Sequence, residues 1–198
     1  MRPTLVGVIS LGFAVVISSE GATQTTSPTE LKSPSAFSSI GDSAARSRAL
    51  FSESAKVFTH PRCLNCHPAS DRPLQGNDYQ PHEPRTARDQ TCMTCHTDKN
   101  FKLSDRASYQ SIPGHPRWSL APIEMAWEGK SIGDICRQMK DPDRNGGRSL
   151  ALLHEHVARD DLVAWGWQPG EGREPAPGTQ ELLGQLIQAW IDSGAECP

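Results

Sequence analysis

Two five-residue stretches of the chain, 63–67 and 92–96, share the order Cys-X-X-Cys-His. This spacing is typical of covalent attachment of c-type haem, in which two thiols add across the vinyl groups of one porphyrin. The histidine that follows lies under the iron and supplies its proximal ligand. The sequence therefore predicts two haem c groups. Their attachment residues are Cys63, Cys66, Cys92 and Cys95, and their proximal iron ligands are His67 and His96.

The two motifs begin only 29 positions apart, at Cys63 and Cys92. Neither haem can own a complete cytochrome c domain, because such a domain needs a long chain that returns over the haem. Loops rich in proline and glycine surround both motifs, and helices are predicted mainly before and after them. We therefore predict a mainly α fold with long loops, in which the helices of one compact unit pack around two covalently bound haems.

The second face of each iron needs a ligand from outside the motifs, unless it stays open to substrate. The candidate distal ligands are His156, His82, His60, Met125 and His115. Two histidine ligands give a low reduction potential and a methionine raises it. We favour two histidines for at least one haem.

Spacing separates some of these candidates. His156 falls beside the predicted apolar stripe of its helix, whereas His154 is predicted to point toward the side that carries Ala158. His82 follows His67 by 15 residues, which is long enough to fold over the first haem. His60 lies too close to the first motif to reach the distal face of the first haem easily, but it could ligate the second haem. The competing interpretations are structural: a core histidine, an exposed loop residue and a helix cap.

Four helices are predicted. One begins at Asp42 and stops near residue 60, and the others are capped by Ser131, Ser149 and Thr179. Five tryptophans are predicted to pack on porphyrin, with an electron path as the alternative. Four arginines near the motifs could pair with haem propionates or simply be solvated: Arg62, Arg72, Arg85 and Arg88.

The start of the chain resembles an export signal. Residues 1–21 combine a positive charge, an apolar run and small residues, which predicts a secretory signal peptide and a periplasmic protein. An uncleaved membrane anchor is the alternative. Residues 22–40 are predicted to be a flexible tether and 41–198 the two-haem domain. The formal net charge of -3 gives no basic excess, which argues against a nucleic-acid partner.

Two cysteines, Cys136 and Cys197, lie outside the motifs. In an oxidising compartment the simplest assignment is a disulfide between them, which would stabilise the fold by about 4 kcal/mol in the chain-entropy model. Two buried thiols or a cysteine iron ligand are the alternatives.

The sequence resembles the two-haem c-type cytochromes, and more narrowly small exported proteins labelled as isoquinoline 1-oxidoreductase subunit-like. The resemblance spans about residues 42–198 and is carried by HPRCLNCHP (60–68), DRPLQG (71–76), AWEGKS (126–131) and WGW (165–167). The label implies a molybdenum hydroxylase that oxidises N-heterocycles or aldehydes. This chain is too short to be the molybdenum subunit and lacks cysteines for iron–sulfur clusters, so the resemblance implies a cytochrome partner that accepts electrons.

We therefore predict a periplasmic electron carrier whose redox partner is a dehydrogenase or a molybdenum hydroxylase. One alternative is a small haem peroxidase or oxidoreductase with one open iron. A structural zinc protein that uses the same cysteines and histidines is another.

Overall fold

The longest helix, α1 (Ser43–Phe58), begins where the sequence predicts, because the Asp42 side chain accepts a hydrogen bond from the Ala45 amide at 2.6 Å. Its buried face carries Leu50, Phe51 and Phe58. The computed structural model describes residues 30–83, 92–103 and 111–198. This part of the chain is mainly helical, with 47% of it in helices and 5% in strands, which confirms the predicted helical class.

Two further helices complete the main core. Helix α4 (Leu150–Arg159) is capped by Ser149, and α6 (Gln180–Asp192) is capped by Thr179, both as predicted. Helix α6 packs against both α1 and α4. The fully buried Trp190 of α6 lies against the Phe51 ring, with ring centroids 5.1 Å apart. These three helices form the hydrophobic centre of the molecule.

Helix α3 (Ile132–Lys140) is capped by Ser131 and joins this core through the buried Ile135 and Met139. Its Cys136 forms the predicted disulfide with Cys197, with the two Cα atoms 5.6 Å apart. The disulfide therefore ties α3 to the end of the chain that follows α6.

The remaining elements are short. Helices α2 (Pro61–Leu64) and α5 (Asp161–Ala164) have four residues each. Two antiparallel ribbons have two residues per strand: β1 (Leu74–Gln75) pairs with β2 (Gln80–Pro81), and β3 (Phe101–Lys102) pairs with β4 (Ser111–Ile112). Single 3₁₀ turns lie at Pro34–Phe37, Cys92–Thr94, Ile123–Met125, Pro142–Arg144 and Trp165–Trp167. Loops connect them, as the proline and glycine content predicts.

The predicted signal peptide, residues 1–21, lies outside the described residues. The end of the predicted tether is described, and it lies against the folded body. Leu31 and Phe37 are buried in the hydrophobic core, and the Lys32 amide donates to Glu53 at 2.8 Å. The serine and proline content predicts a flexible segment, but these two apolar side chains hold its last ten residues in place.

A close contact between α4 and α6 gives a stability prediction. A Cβ on Gly184 would lie 2.6 Å from Ala158 Cβ and 3.3 Å from its Cα. We expect Gly184→Ala to lower the free energy of unfolding by about 1–3 kcal/mol, because the helices must move apart. Urea denaturation followed by far-UV circular dichroism measures the loss.

The matched control is Gly41→Ala, because no atom lies within 4 Å of its Cβ position. It should change the free energy of unfolding by less than about 0.5 kcal/mol. An unchanged or higher denaturation midpoint for Gly184→Ala would contradict the tight packing of α4 on α6.

Candidate functional site

The first Cys-X-X-Cys-His motif folds as one helical turn. Pro61 occupies the first position of α2, and His60 caps the helix, with its Nδ1 accepting from the Arg62 amide at 3.3 Å. The amides of Cys66 and His67 both donate to the Cys63 carbonyl at 3.1 Å. Residues three and four apart on a helix lie on one face, so both cysteines and the histidine face the same side.

The second motif adopts the same conformation on a 3₁₀ turn. The amides of Cys95 and His96 donate to the Cys92 carbonyl at 3.2 and 3.0 Å. Two segments that share a residue pattern therefore also share a backbone arrangement. This arrangement sets two thiols and one imidazole side by side in each case.

The His67 ring is fixed in position from two sides. Its Nδ1 lies 2.7 Å from the Met125 carbonyl oxygen, and its ring stacks on Trp127 with centroids 3.7 Å apart and an angle of 3°. A carbonyl oxygen only accepts, so Nδ1 carries the proton and the lone pair of the neutral ring is on Nε2. Metal-ligating histidines commonly hold their second nitrogen in this way.

His96 is held by the same two kinds of contact. Its Nδ1 donates to the Pro113 carbonyl oxygen at 2.7 Å, and its ring lies nearly parallel to Trp118, with centroids 5.0 Å apart. Burial lowers the pKa of His96, and the bond to Pro113 only partly opposes this effect. The ring is therefore neutral at pH 7, with its lone pair on Nε2.

The two thiols of the first motif stay protonated at neutral pH. Burial raises the pKa of Cys63 to about 12 and that of Cys66 to about 11, and Arg62 opposes both shifts. The thiolate is the nucleophile and the usual metal-binding form, so these pKa values do not favour a catalytic cysteine or a zinc ligand. Within the described chain the motif cysteines form no disulfide.

The two motifs are neighbours in space. Cys92 is one of the groups that raise the pKa of Cys66, after burial. The His82 ring lies 5.9 Å from the His96 ring, centroid to centroid. The sequence predicted His82 over the first haem, but the structure brings its ring to the second motif.

The two histidines of α4 differ from the expected pattern. Leu153 and Val157 form the buried stripe as predicted, yet the His154 side chain is 17% exposed and that of His156 is 32% exposed. His154 was predicted to point toward the side that carries Ala158, and that side lies against Gly184 of α6. Because Gly184 has no side chain, α4 can approach α6 closely, and α6 covers that side of α4.

Three candidate distal ligands have partners in the structure. His156 Nδ1 lies 3.1 Å from Asp160 Oδ2. His115 is buried, its Nδ1 accepts from the Arg117 amide at 3.1 Å and its Nε2 lies 3.3 Å from Asp161 Oδ2. His60 is the cap of α2 described above. Each of these three rings is thereby held at a site of its own.

Met125, the fifth candidate, lies at the back of the first motif. Its carbonyl oxygen accepts the hydrogen bond from His67 Nδ1, on the opposite side of that ring from Nε2. Its Cε atom lies 2.8 Å from the Cβ position of Gly146. The backbone of Met125 therefore orients the predicted proximal histidine.

Two buried polar atoms of the first motif lack a hydrogen-bond partner among the described residues: Arg62 Nε and Asn65 Oδ1. Arg62 is 3% exposed, and its Nη2 donates to the Gly76 carbonyl and to Asn77 Oδ1. An unpaired buried group costs free energy unless another partner is present. The unpaired Arg62 Nε fits a site that receives a polar group such as a propionate. The predicted propionate partners Arg85 and Arg88 lie outside the described residues.

Asn100 was missed by sequence reasoning. Its Oδ1 accepts from the Gly114 amide at 2.9 Å and from Trp165 Nε1 at 2.8 Å. Trp165 in turn lies edge-on to Trp118, with centroids 4.8 Å apart. Asn100 thus fixes both the loop behind His96 and the tryptophan pair beside it. No local pattern marks such a residue, because its partners lie 14 and 65 positions away.

Comparison with known proteins gives no family for the chain. No family model matches it, and neither a curated protein nor a solved structure is significantly similar to it. Within residues 30–83, 92–103 and 111–198, no three or more His, Cys, Asp or Glu side chains are grouped to hold a metal ion. The same described ranges contain no helix with the length and apolar character needed to span a bilayer.

The contacts of Trp127 give a prediction about the first motif. This side chain is 9% exposed, stacks on His67 and donates from Nε1 to the buried Gln138 Oε1 at 2.6 Å. We expect Trp127→Ala to lower the free energy of unfolding by about 3–5 kcal/mol, because it removes a large buried ring and leaves Gln138 Oε1 without its hydrogen-bond donor. Urea denaturation of the full chain measures this.

Trp118→Ala is the comparison variant, because Trp118 is only half-buried. It should cost clearly less than Trp127→Ala. Equal losses would mean that Trp127 does not link the first motif to the core.

Proposed function

We propose that the chain is a periplasmic electron-transfer protein of the two-haem cytochrome c class. Cys63 and Cys66 would hold one haem, Cys92 and Cys95 the other, and His67 and His96 would be the proximal ligands. Each bound haem supplies a one-electron iron couple. The residues around it set its orientation, its exposure to water and the donor strength of its ligands.

The observation that carries this proposal is common to both motifs. In each one the imidazole donates from Nδ1 to a backbone carbonyl at 2.7 Å, which leaves the lone pair on Nε2. A histidine with an ordinary packing role has no need of this arrangement twice, in two motifs of the same composition and backbone conformation. A proximal iron ligand needs it, since the second bond fixes the ring and raises its basicity.

The chain's own groups prepare the sites in two further ways. Cys63 and Cys66 are reduced thiols, which covalent attachment would require: net addition of S–H across a vinyl group puts sulfur on one carbon and hydrogen on the other and needs no oxidant. Trp127 and Trp118 cover one face of the two imidazoles and keep water from that side.

The short distance between the motifs supports transfer between two haems in one body. The partner we propose is a periplasmic redox protein, either a dehydrogenase or a molybdenum hydroxylase that passes on electrons one at a time. The resemblance of the sequence to isoquinoline 1-oxidoreductase subunit-like proteins is the reason for the second choice.

Haem stoichiometry tests the proposal. The full chain is expressed with a bacterial export and haem-attachment system, and haem is counted per chain by the pyridine haemochrome assay. We expect two haems in the wild type, retained after denaturation because the bonds are covalent. Chains with Cys63→Ser and Cys66→Ser, or with Cys92→Ser and Cys95→Ser, should keep one haem each.

The control is the double variant Cys136→Ser and Cys197→Ser, which removes the disulfide and should keep both haems. Bound zinc without iron in the wild type would overturn the proposal. The reduced protein should also show the sharp α band of low-spin haem c. A high-spin iron together with turnover of peroxide would instead support the peroxidase alternative.

A further inference from the structure

We infer that His82 is the distal ligand of the second haem iron, opposite His96. The ligand would then come from the segment that follows the first motif, so the second haem would depend on chain that is anchored at the first site. This inference rests on the proposed function and adds to it the identity of one ligand. It differs from the sequence prediction, which placed His82 over the first haem.

The distance between the two rings is suitable for a shared metal. Two imidazoles that bind one iron from opposite faces, with metal–nitrogen bonds of about 2.0 Å, have ring centroids about 6.3 Å apart. The His82 and His96 centroids are 5.9 Å apart. Among the described residues, His82 is the histidine whose ring contacts His96. Small side-chain movements would therefore be enough for both to reach one iron.

The other sides of His96 are already occupied. The Pro113 carbonyl oxygen accepts a hydrogen bond from Nδ1, and Trp118 lies along one face of the ring. An iron bound at Nε2, and a distal ligand beyond it, must therefore lie on the side of the ring away from Pro113. His115, although close in sequence to Pro113, has partners at both ring nitrogens: Nδ1 accepts from the Arg117 amide, and Nε2 lies 3.3 Å from Asp161 Oδ2. It would have to give these up to bind iron.

The backbone of His82 is held in place by specific bonds. Its amide donates to the Pro73 carbonyl at 2.9 Å, and its carbonyl accepts from both Nε and Nη2 of Arg72, at 3.0 and 2.7 Å. Arg72 presents its rigid two-pronged donor to one carbonyl oxygen, which fixes orientation as well as position. A loop histidine with no task would not require this restraint.

The ribbon that carries His82 is anchored on the first motif. The Gly76 carbonyl, between β1 and β2, accepts from Arg62 Nη2 at 2.6 Å and from Asn65 Nδ2 at 2.9 Å. The Leu74 amide donates to the Asn65 carbonyl at 3.3 Å. The ribbon therefore starts from residues of the first motif and ends with a histidine beside the second.

Single-haem chains provide the test. His82→Ala is placed in the chain that keeps only the second haem (Cys63→Ser, Cys66→Ser) and in the chain that keeps only the first (Cys92→Ser, Cys95→Ser). Electron paramagnetic resonance of the oxidised protein reports the spin state. We expect the second haem to change from low spin to high spin and to return to low spin when free imidazole is added. The first haem should not change.

His156→Ala is the control, since its side chain is partnered with Asp160 and should leave the second haem low-spin. Conversion of the first haem alone, or of neither, by His82→Ala would overturn the inference. Haem counts separate the two levels: one haem per parent chain with no spin change refutes only the ligand assignment, while absence of haem refutes the proposed function and the inference with it.

The intact two-haem chain repeats the assignment without removing a haem. His82→Met and His96→Met should each raise the same one of the two reduction potentials, because a methionine ligand raises the potential, and should leave the other unchanged. His67→Met should raise the other one. If His82→Met and His67→Met move the same potential, His82 belongs to the first haem and the inference is wrong.

Discussion

The stacking of His67 on Trp127 joins the chemistry of this molecule to its hydrophobic core. A series of ring contacts runs from this pair into the core. The ring centroids are 5.3 Å apart for Trp127 and Phe58, 5.7 Å for Phe58 and Phe51, and 5.1 Å for Phe51 and Trp190. Trp127 is also bonded to Gln138 of α3, which the disulfide ties to the end of the chain. The orientation of one imidazole is thus fixed by contacts that reach three helices, α1, α3 and α6, although the motif itself lies in a short turn.

The second motif has a different support. It lies between loops, and its histidine is oriented by Pro113, Trp118 and, through Trp165, by Asn100. None of these contacts belongs to the helical core. Polar bonds of this kind contribute roughly 1 kcal/mol each, whereas a buried aromatic ring contributes several. The first site is therefore built on packing and the second on a network of hydrogen bonds, and a bound haem would matter more for the order of the second.

Local chemistry explains what the sequence predicts well. Asp42, Ser131, Ser149 and Thr179 cap helices because the capping bond involves residues two or three positions apart, and such bonds leave a readable pattern. The disulfide followed from counting cysteines. The positions of His82 and His154 could not be predicted from the sequence. That of His82 depends on the register of a ribbon, and that of His154 on the absence of a side chain at Gly184. The carbonyl partners of the two motif histidines are 58 and 17 positions away and carry no side-chain signature.

The contrast between the two sites bears on how electrons would cross the protein. In the proposed two-haem protein the first site would keep its geometry in both oxidation states, since its ring is fixed by packing that does not respond to one unit of charge. The second site, which is held by polar groups, has more dipoles that could reorient when the charge on an iron changes. Such reorientation would tune the reduction potential of the second haem. If His82 completes the second iron, Arg72 holds the backbone of that ligand, and Arg62 and Asn65 fix the same ribbon to the first site. The ligand of the less tightly packed site would then be positioned by contacts that begin at the site fixed by the helical core.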